Sequence, residues 1–584
     1  MKQFIFKTLQ SLVVSALVGI FFFTNLIAKT GGPEEFPLTW EIKSPFEAGE
    51  GSCVSPDGKF VLVADDKGAS LHQGSDGKLI WSNKFKDISS VGFSKSELAV
   101  PNWEADILFL FDKKAMGKDK LMVLKLSTGK ELWSSEEYSL LSAGESILKG
   151  DIEDMVVYFK QLDAFAISQK SSLRMVEAQT GKLLWETSRI TGSVGRSYYD
   201  ASSGDIVLMN FKPTGLGQLF SGFKNQLMRI NAKTGEVKWD VVYRGTLQKK
   251  LLTREILADL RVEGDHVLLR MGGLQVFNFS DGKSLWGAQC EEVLDEVRPP
   301  VRGRVLAAGI YGAISEPLYD GKYVYILANV EGMATNDRRK TISKYEVNTG
   351  KLIWTSEKFV GRAVPALMLV EGKIICQIGG FINYQAISRE TIRNQDGSIN
   401  VVTYRTNSYT WIGPFGVKAI DAETGALSWS SERFDKKRIT EITTDGKRLF
   451  VAGGDEFYAF EAKTGDLVFN QDHTKQKVGK PLYNFDGGDK TVIVSDKGLA
   501  AYSKKDGSVL YATDKVKQVD SYFKRGSNFF LENTKEQAIG IDLTNGNIKG
   551  ITEKAKKGFV DYTDDGEFIF TFEKKEIQKY KTNK

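Results

Sequence analysis

A tight glycine turn followed four residues later by an aromatic side chain recurs along the whole chain, and few folds can accommodate such a pattern. The turn glycines are Gly77, Gly129, Gly181, Gly235, Gly282, Gly350, Gly425, Gly465, Gly507 and Gly546. Behind them stand Trp81, Trp133, Trp185, Trp239, Trp286, Trp354, Trp429, Phe469 and Tyr511, and only the last copy departs, with Gly550. Five residues before each glycine the side chain is apolar or aromatic, as in Leu124, Val176 and Ile420, with His72 the one exception. That strand therefore buries one face. The next position is polar: Gln73, Glu177, Asn231, Asn278, Glu346, Asp421, Glu461 and Asp542 each offer a side-chain carbonyl to the turn's backbone. The glycine supplies the positive φ of a tight turn, so each unit ends in a hairpin. An isolated hairpin is marginal in water, and the units must stack and bury their aromatics between neighbours.

A second turn lies upstream of many of these hairpins, at Asp57-Gly58, Asp320-Gly321, Glu371-Gly372, Asp445-Gly446 and Asp565-Gly566. This makes four strands per unit, and the last four turn glycines recur at intervals of 40, 42 and 39 residues. Four-stranded units at about that spacing are blades of a β-propeller. The units resemble those of the pyrroloquinoline-quinone-dehydrogenase-like propellers, a superfamily that includes the propeller subunit of the bacterial outer-membrane protein assembly machine. The similarity runs from Pro37 to the C-terminus. It implies an all-β fold and leaves function open, because the superfamily mixes redox enzymes with scaffolds. Its enzymes bind their quinone beside adjacent cysteines and a calcium ion, and some carry a haem. This chain has neither a Cys-Cys pair nor a Cys-x-x-Cys-His, which argues against a quinone dehydrogenase and for no cofactor.

Trp40, in Pro37–Ile42, resembles the outermost strand of a blade but has no blade before it, and Gly558–Tyr580 offers a partial blade lacking such a strand. The two ends are expected to complete one blade together and so close the ring. The count is then eleven units, above the usual four to eight per ring. The alternatives are one large ring, two propellers, or a ring of about eight with units outside it.

Before Gly425 the intervals lengthen to between 47 and 75 residues, so this part carries insertions. Residues 113–120, 213–225, 331–340 and 381–414 separate second from third strands, whereas 245–260 and 287–317 connect successive blades. In an antiparallel blade both kinds emerge on one face, which is decorated while the other is plain. Short helices are expected around Leu251–Leu260 and Cys290–Val297. The insertion 381–414 is expected to be a projecting β-hairpin with its turn at Asp396-Gly397. It gathers Tyr384, Arg389, Arg393, Tyr404, Arg405, Tyr409 and Trp411, and aromatic and Arg side chains enrich contact surfaces. These are the candidate partner-binding residues, set against a reading in which they pack the insertion onto its own ring. Trp40, Trp81, Trp133, Trp185, Trp239, Trp286, Trp354 and Trp429 are assigned to repeat packing.

Residues 1–28 read as an export signal, with Lys2 and Lys7 ahead of an apolar stretch from Leu12 to Phe23. An uncleaved N-terminal anchor is the alternative, and no Cys follows the stretch to take a lipid. The net charge of +5, from 79 basic and 74 acidic residues without a long run of one sign, points to neither nucleic acid nor an anionic membrane. His72, His266 and His473 share no metal-ligand spacing, and Cys53, Cys290 and Cys376 are sparse for an exported protein. Gly-Lys-Ser at 282–284 belongs to the repeat turn, since Phe277 stands where a P-loop needs glycine. The leading expectation is a non-catalytic exported scaffold, periplasmic or secreted, that binds a protein, peptide or envelope component. An enzyme with a loop-borne site and a glycan-binding module are the alternatives.

Overall fold

The computed structural model describes residues 34–582 apart from 85–98, 113–119, 137–155, 212–223, 245–257, 289–306, 310–315, 330–338, 394–398 and positions 50, 66, 170–171, 192, 272, 362, 432–433, 435–436 and 556–557. The expected signal, Cys290–Val297, the turn Asp396-Gly397 and most of the insertions lie outside the described residues. From Ala258 the chain is in a strand, Ala258–Glu263, so the second part of the helix expected at Leu251–Leu260 is β. Among the described residues the fold is all-β: eleven antiparallel sheets, nine of four strands and two with a short fifth strand. Blades 1 to 10 follow one another in sequence, from Cys53–Val54 in blade 1 to Ile548–Ile551 in blade 10. Blade 11 is composite. Its first three strands are Phe559–Tyr562, Phe568–Glu573 and Glu576–Lys581, and its outermost strand is Leu38–Lys43.

Within a blade the two middle strands are buried on both faces, as the fully buried Val61–Val63 and Leu449–Ala452 show. First strands of neighbouring blades approach one another and form the inner wall. The outermost strands are half exposed, and their aromatic residue points into the next blade. His72, the polar exception at a core position, is satisfied there: its ring nitrogens meet the Gly77 carbonyl at 3.1 Å and Ser70 Oγ at 3.2 Å. The polar residue after it works in two ways. Short side chains cap the turn's backbone, as Asn231 Oδ1 does for the N–H groups of Lys233 and Thr234. The longer Glu177 and Glu346 instead accept from the hydroxyls of Thr180 and Thr349.

One contact joins each blade to the next. The Trp of one blade lies on the bare face of the following blade's turn glycine, and its Nε1 donates to the carbonyl three residues before that glycine. Trp81 meets Gly129 and Leu126 in this way, and a Cβ at Gly129 would stand 2.5 Å from the indole. The same bond recurs from Trp40, Trp133, Trp185, Trp239, Trp286, Trp354 and Trp429 at 2.6–3.2 Å. Phe469 covers Gly507 without a donor, and Tyr511 covers Gly546 while its hydroxyl donates to Leu543. Glycine is required here twice, since the turn φ is near +70° and no Cβ fits beneath the ring. In three blades a buried cation adds a second bond to the same carbonyl: Lys579 to Gly74, Arg229 to Phe279 and Lys344 to Ala422.

The last copy shows how the ring closes. Gly550 stands where the aromatic belongs, and the ring of Phe36 occupies the space, 2.5 Å from where a Cβ on Gly550 would be. Phe36 N–H donates to the Ile551 carbonyl and Ile551 N–H to Glu34. Two residues on, Leu38–Lys43 pairs with Glu576–Lys581, bringing Trp40 to the ring's edge. The circuit of contacts from blade 11 to blade 1 and round to blade 11 is therefore unbroken. Of the expected arrangements, the single large ring is the one found.

Trp81→Ala is expected to cost about 3–5 kcal/mol, and Trp81→Phe about 1–2 kcal/mol because the bond to Leu126 and part of the ring contact are lost while an aromatic still covers Gly129. Hydrogen exchange should locate the loss in strands Leu79–Lys84 and Lys120–Lys125, and equal effects of the two substitutions would contradict the assignment. Phe36→Ala should raise exchange at Ile548–Ile551 and Glu576–Lys581 and leave blades 3 to 6 unchanged.

Candidate functional site

The largest departure from the repeat is in blade 7. Its second strand runs Lys373–Arg393 and its third Ile399–Asp421, so the two continue far past the blade as one hairpin. Residues 373–378 pair with 416–421 as in any blade, the register then shifts, and 380–393 pair with 399–412 without further irregularity. The shift falls at Gly379, with φ of +68°, where a Cβ would come within 2.4 Å of the carbonyls of Ile412 and Pro414. Only glycine lets the outgoing strand pass that close to the returning one. The expected hairpin is thus present in backbone and register.

The foot of the hairpin is pinned by aromatic rings. Phe381 and Trp411 are paired in register with centroids 4.9 Å apart, and Phe415 meets Trp411 edge-on. Arg438, in the connection to blade 8, lies 5.4 Å over the Trp411 ring. Phe381 also contacts Tyr483 of blade 9 at 5.6 Å. Blade 8 has a first strand of two residues, Thr443–Thr444, and the foot reaches across it to the inner wall. A cleft of about 400 Å³ opens beside the foot between blades 6 and 7, lined by Phe359, Val360, Phe415, Lys418 and Ser430.

Of the sequence-predicted site residues, Trp411 is half buried in this foot, and its contacts there pack the hairpin onto its own ring. Tyr384, Arg389, Arg393, Tyr404, Arg405 and Tyr409 occupy register positions in the extension opposite Ser408, Thr403, Ile399, Ser388, Ile387 and Asn383. Their side chains lie outside the described residues. Sequence reasoning missed that the connection between blades 5 and 6 returns to the hairpin: Ala307–Gly309 pairs with Gln385–Ile387. It also missed Phe381 and Arg438. An aromatic at each end of the insertion was the available signal for the first.

From Phe381 a line of half-buried rings follows the inner wall through Tyr483, Tyr522 and Phe485, with centroids 5.3–5.9 Å apart. At its far end Tyr562 of blade 11 packs on Phe523 and Phe530 and donates to Glu532 Oε1 at 2.7 Å. Burial, reinforced by Glu536 and Asp520, pushes the Glu532 carboxyl up to about 7. Asp561, also raised by burial, accepts from Val54 N–H at 2.8 Å across the seam with blade 1. Burial holds the Cys53 and Cys376 thiols protonated. His473, lodged between Tyr502 and Ser495 hydroxyls, is pushed down to about 4 and is neutral at pH 7.

A sequence model of the family described as outer membrane protein assembly factor BamB matches residues 37–207, 169–314 and 415–558. The unmatched interval, 315–414, holds blade 6 and the hairpin. No curated protein matches the chain. Among solved structures, BamB from Moraxella catarrhalis aligns with 81% of this chain and 98% of its own at 12% identity and a TM-score of 0.25. A computationally designed protein, Ika8, aligns with 66% of this chain and 96% of its own at 12% identity and a TM-score of 0.32. A eukaryotic initiation factor aligns with 76% and 90% at 12% identity and a TM-score of 0.34.

Glu532 makes the seam between blades 10 and 11 pH-dependent. Its folded-state pKa lies above the ordinary 4.5, so its contribution is full below pH 4.5 and is lost as pH rises through about 7. Glu532→Gln keeps an acceptor for Tyr562 and cannot ionise. It should match the parent below pH 4.5 and exceed it at pH 8 by about 3 kcal/mol in denaturant unfolding. A constant difference across that range would contradict the assignment.

Proposed function

The chain belongs to the family described as outer membrane protein assembly factor BamB, and on that premise we propose that it is an exported, non-catalytic scaffold that binds a protein or peptide of the cell envelope through the hairpin-bearing face. A repeat propeller of this family is in general terms a protein-binding scaffold. The observation that carries the finer reading is the hairpin itself. It is long, its foot is pinned by its own Phe381, Trp411 and Phe415 together with Arg438 and with Tyr483 of blade 9, and it lies in the interval the family match omits. A protruding element on a rigid ring pre-organises a contact surface and lowers the ordering cost of association. Tyr384, Arg389, Arg393, Tyr404, Arg405 and Tyr409 are the residue types that dominate such contacts. The charge balance, +5 from nearly equal numbers of both signs, favours a protein surface over nucleic acid.

Replacing residues 386–407 by a short Gly-Ser turn tests the reading. The ring should keep its stability, because 373–378 and 416–421 still pair. Affinity capture from the native cell envelope should lose the partner that the full chain retains. A shortened protein that folds and captures that partner undiminished removes the hairpin from the binding site.

A further inference from the structure

The two edges of the hairpin are treated differently by the fold. The outgoing strand is covered on its outer edge at Gln385–Ile387 by the chain's own Ala307–Gly309. The returning strand meets Leu427–Ser430 only from Lys418 onward. Among the described residues no strand pairs with the outer edge of 399–412. Along that edge every second residue directs its backbone N–H and C=O away from the hairpin, leaving a row of donors and acceptors that templates another strand.

Natural proteins blunt such edges with Pro, Lys, inward charges, bulges or shortness. Residues 399–412, Ile-Asn-Val-Val-Thr-Tyr-Arg-Thr-Asn-Ser-Tyr-Thr-Trp-Ile, contain no Pro, Gly, Lys, Asp or Glu, and Arg405 is their one charge. Their register with the outgoing strand runs unshifted from Ile412 to Ile399. The composition has strong β propensity. A long, regular, ungated edge whose opposite edge already takes up a strand from elsewhere in the chain is built for strand addition.

We propose that the 399–412 edge binds an extended, largely uncharged segment of a partner polypeptide as an added β-strand. The main-chain ladder would supply affinity, and the flanking side chains selectivity. The inference rests on the reading of the hairpin as a docking element and names the chemistry of what docks.

The probe is a displayed library of random 12-residue peptides, selected on the full chain and counter-selected on the variant shortened at 386–407. Peptides rich in β-branched and aromatic residues are expected. In residue-resolved hydrogen exchange, alternate amides of 400–412 should be open in the free protein and closed when a selected peptide is bound. Val401→Pro and Val402→Pro sharpen the test, because adjacent residues direct their N–H groups to opposite edges. One variant should disturb protection of the outgoing strand; the other should preserve it and weaken peptide binding at least tenfold. The proposal is overturned by uniform protection of 400–412 in the free protein, by failure to recover any hairpin-dependent peptide, or by binding indifferent to both prolines. It is likewise overturned by a solution dimer that the edge proline dissociates, which would assign the edge to a second copy. If shortening abolishes capture of the envelope partner but the edge proline does not, the docking role stands and strand addition falls.

Discussion

Eight of the eleven steps round this ring rest on an indole that covers a glycine of the next blade while its N–H reaches the carbonyl three residues upstream. The contact solves two problems at once. The large apolar ring of the outermost strand is taken out of water, and a backbone carbonyl of the neighbour's turn gains a donor. Because the turn residue has no Cβ, the two blades approach closely enough for this to occur; a Cβ on Gly129 would stand only 2.5 Å from the Trp81 indole. The step is the same whether the donor is Trp or the hydroxyl of Tyr511, and at Phe469 the packing persists without it.

A step that is local and repeatable does not by itself set the number of blades, and the chain's ends do that. Eleven steps meet because Phe36 and Leu38–Lys43 supply to blades 10 and 11 what the C-terminal units lack. Gly550 is therefore a fitted position: an aromatic there would displace Phe36. The buried Lys579, Arg229 and Lys344 are unusual tenants of such an interface. Each is stabilised by a carbonyl and by aromatic faces, Lys579 by Phe568 at 3.7 Å and Lys344 by Tyr323 at 4.0 Å. Burial lowers the Lys579 pKa, the expected cost of placing a charge there.

The hairpin departs from this economy. It adds nothing to the inter-blade step, yet its foot is held by three rings of its own blade, by Tyr483 of blade 9 and by Arg438 in the connection to blade 8. The repeat supplies the platform, and the hairpin rises from it within the interval that the family match omits. The third strand, Ala307–Gly309, ties the connection between blades 5 and 6 to the same element and joins two insertions that are some eighty residues apart in sequence.

What the sequence determined by itself is what short-range chemistry dictates. Glycine at a positive φ, alternating burial and the Asx caps all act within a dozen residues, so the strands, the hairpins, the blade and the projecting extension could be read directly, and Trp40 announced closure because it matched the repeat. The tertiary structure decided what depends on partners distant in the chain. It placed each Trp on the next blade's glycine, with its donor bond to a carbonyl 33 to 68 residues away, chose one ring over two, and put Phe36 opposite Gly550. It also brought Phe381 to Tyr483 and Ala307–Gly309 to the hairpin. None of these has a local signature, because which surfaces meet is set by the curvature accumulated over eleven blades, and that curvature exists only once the ring has closed.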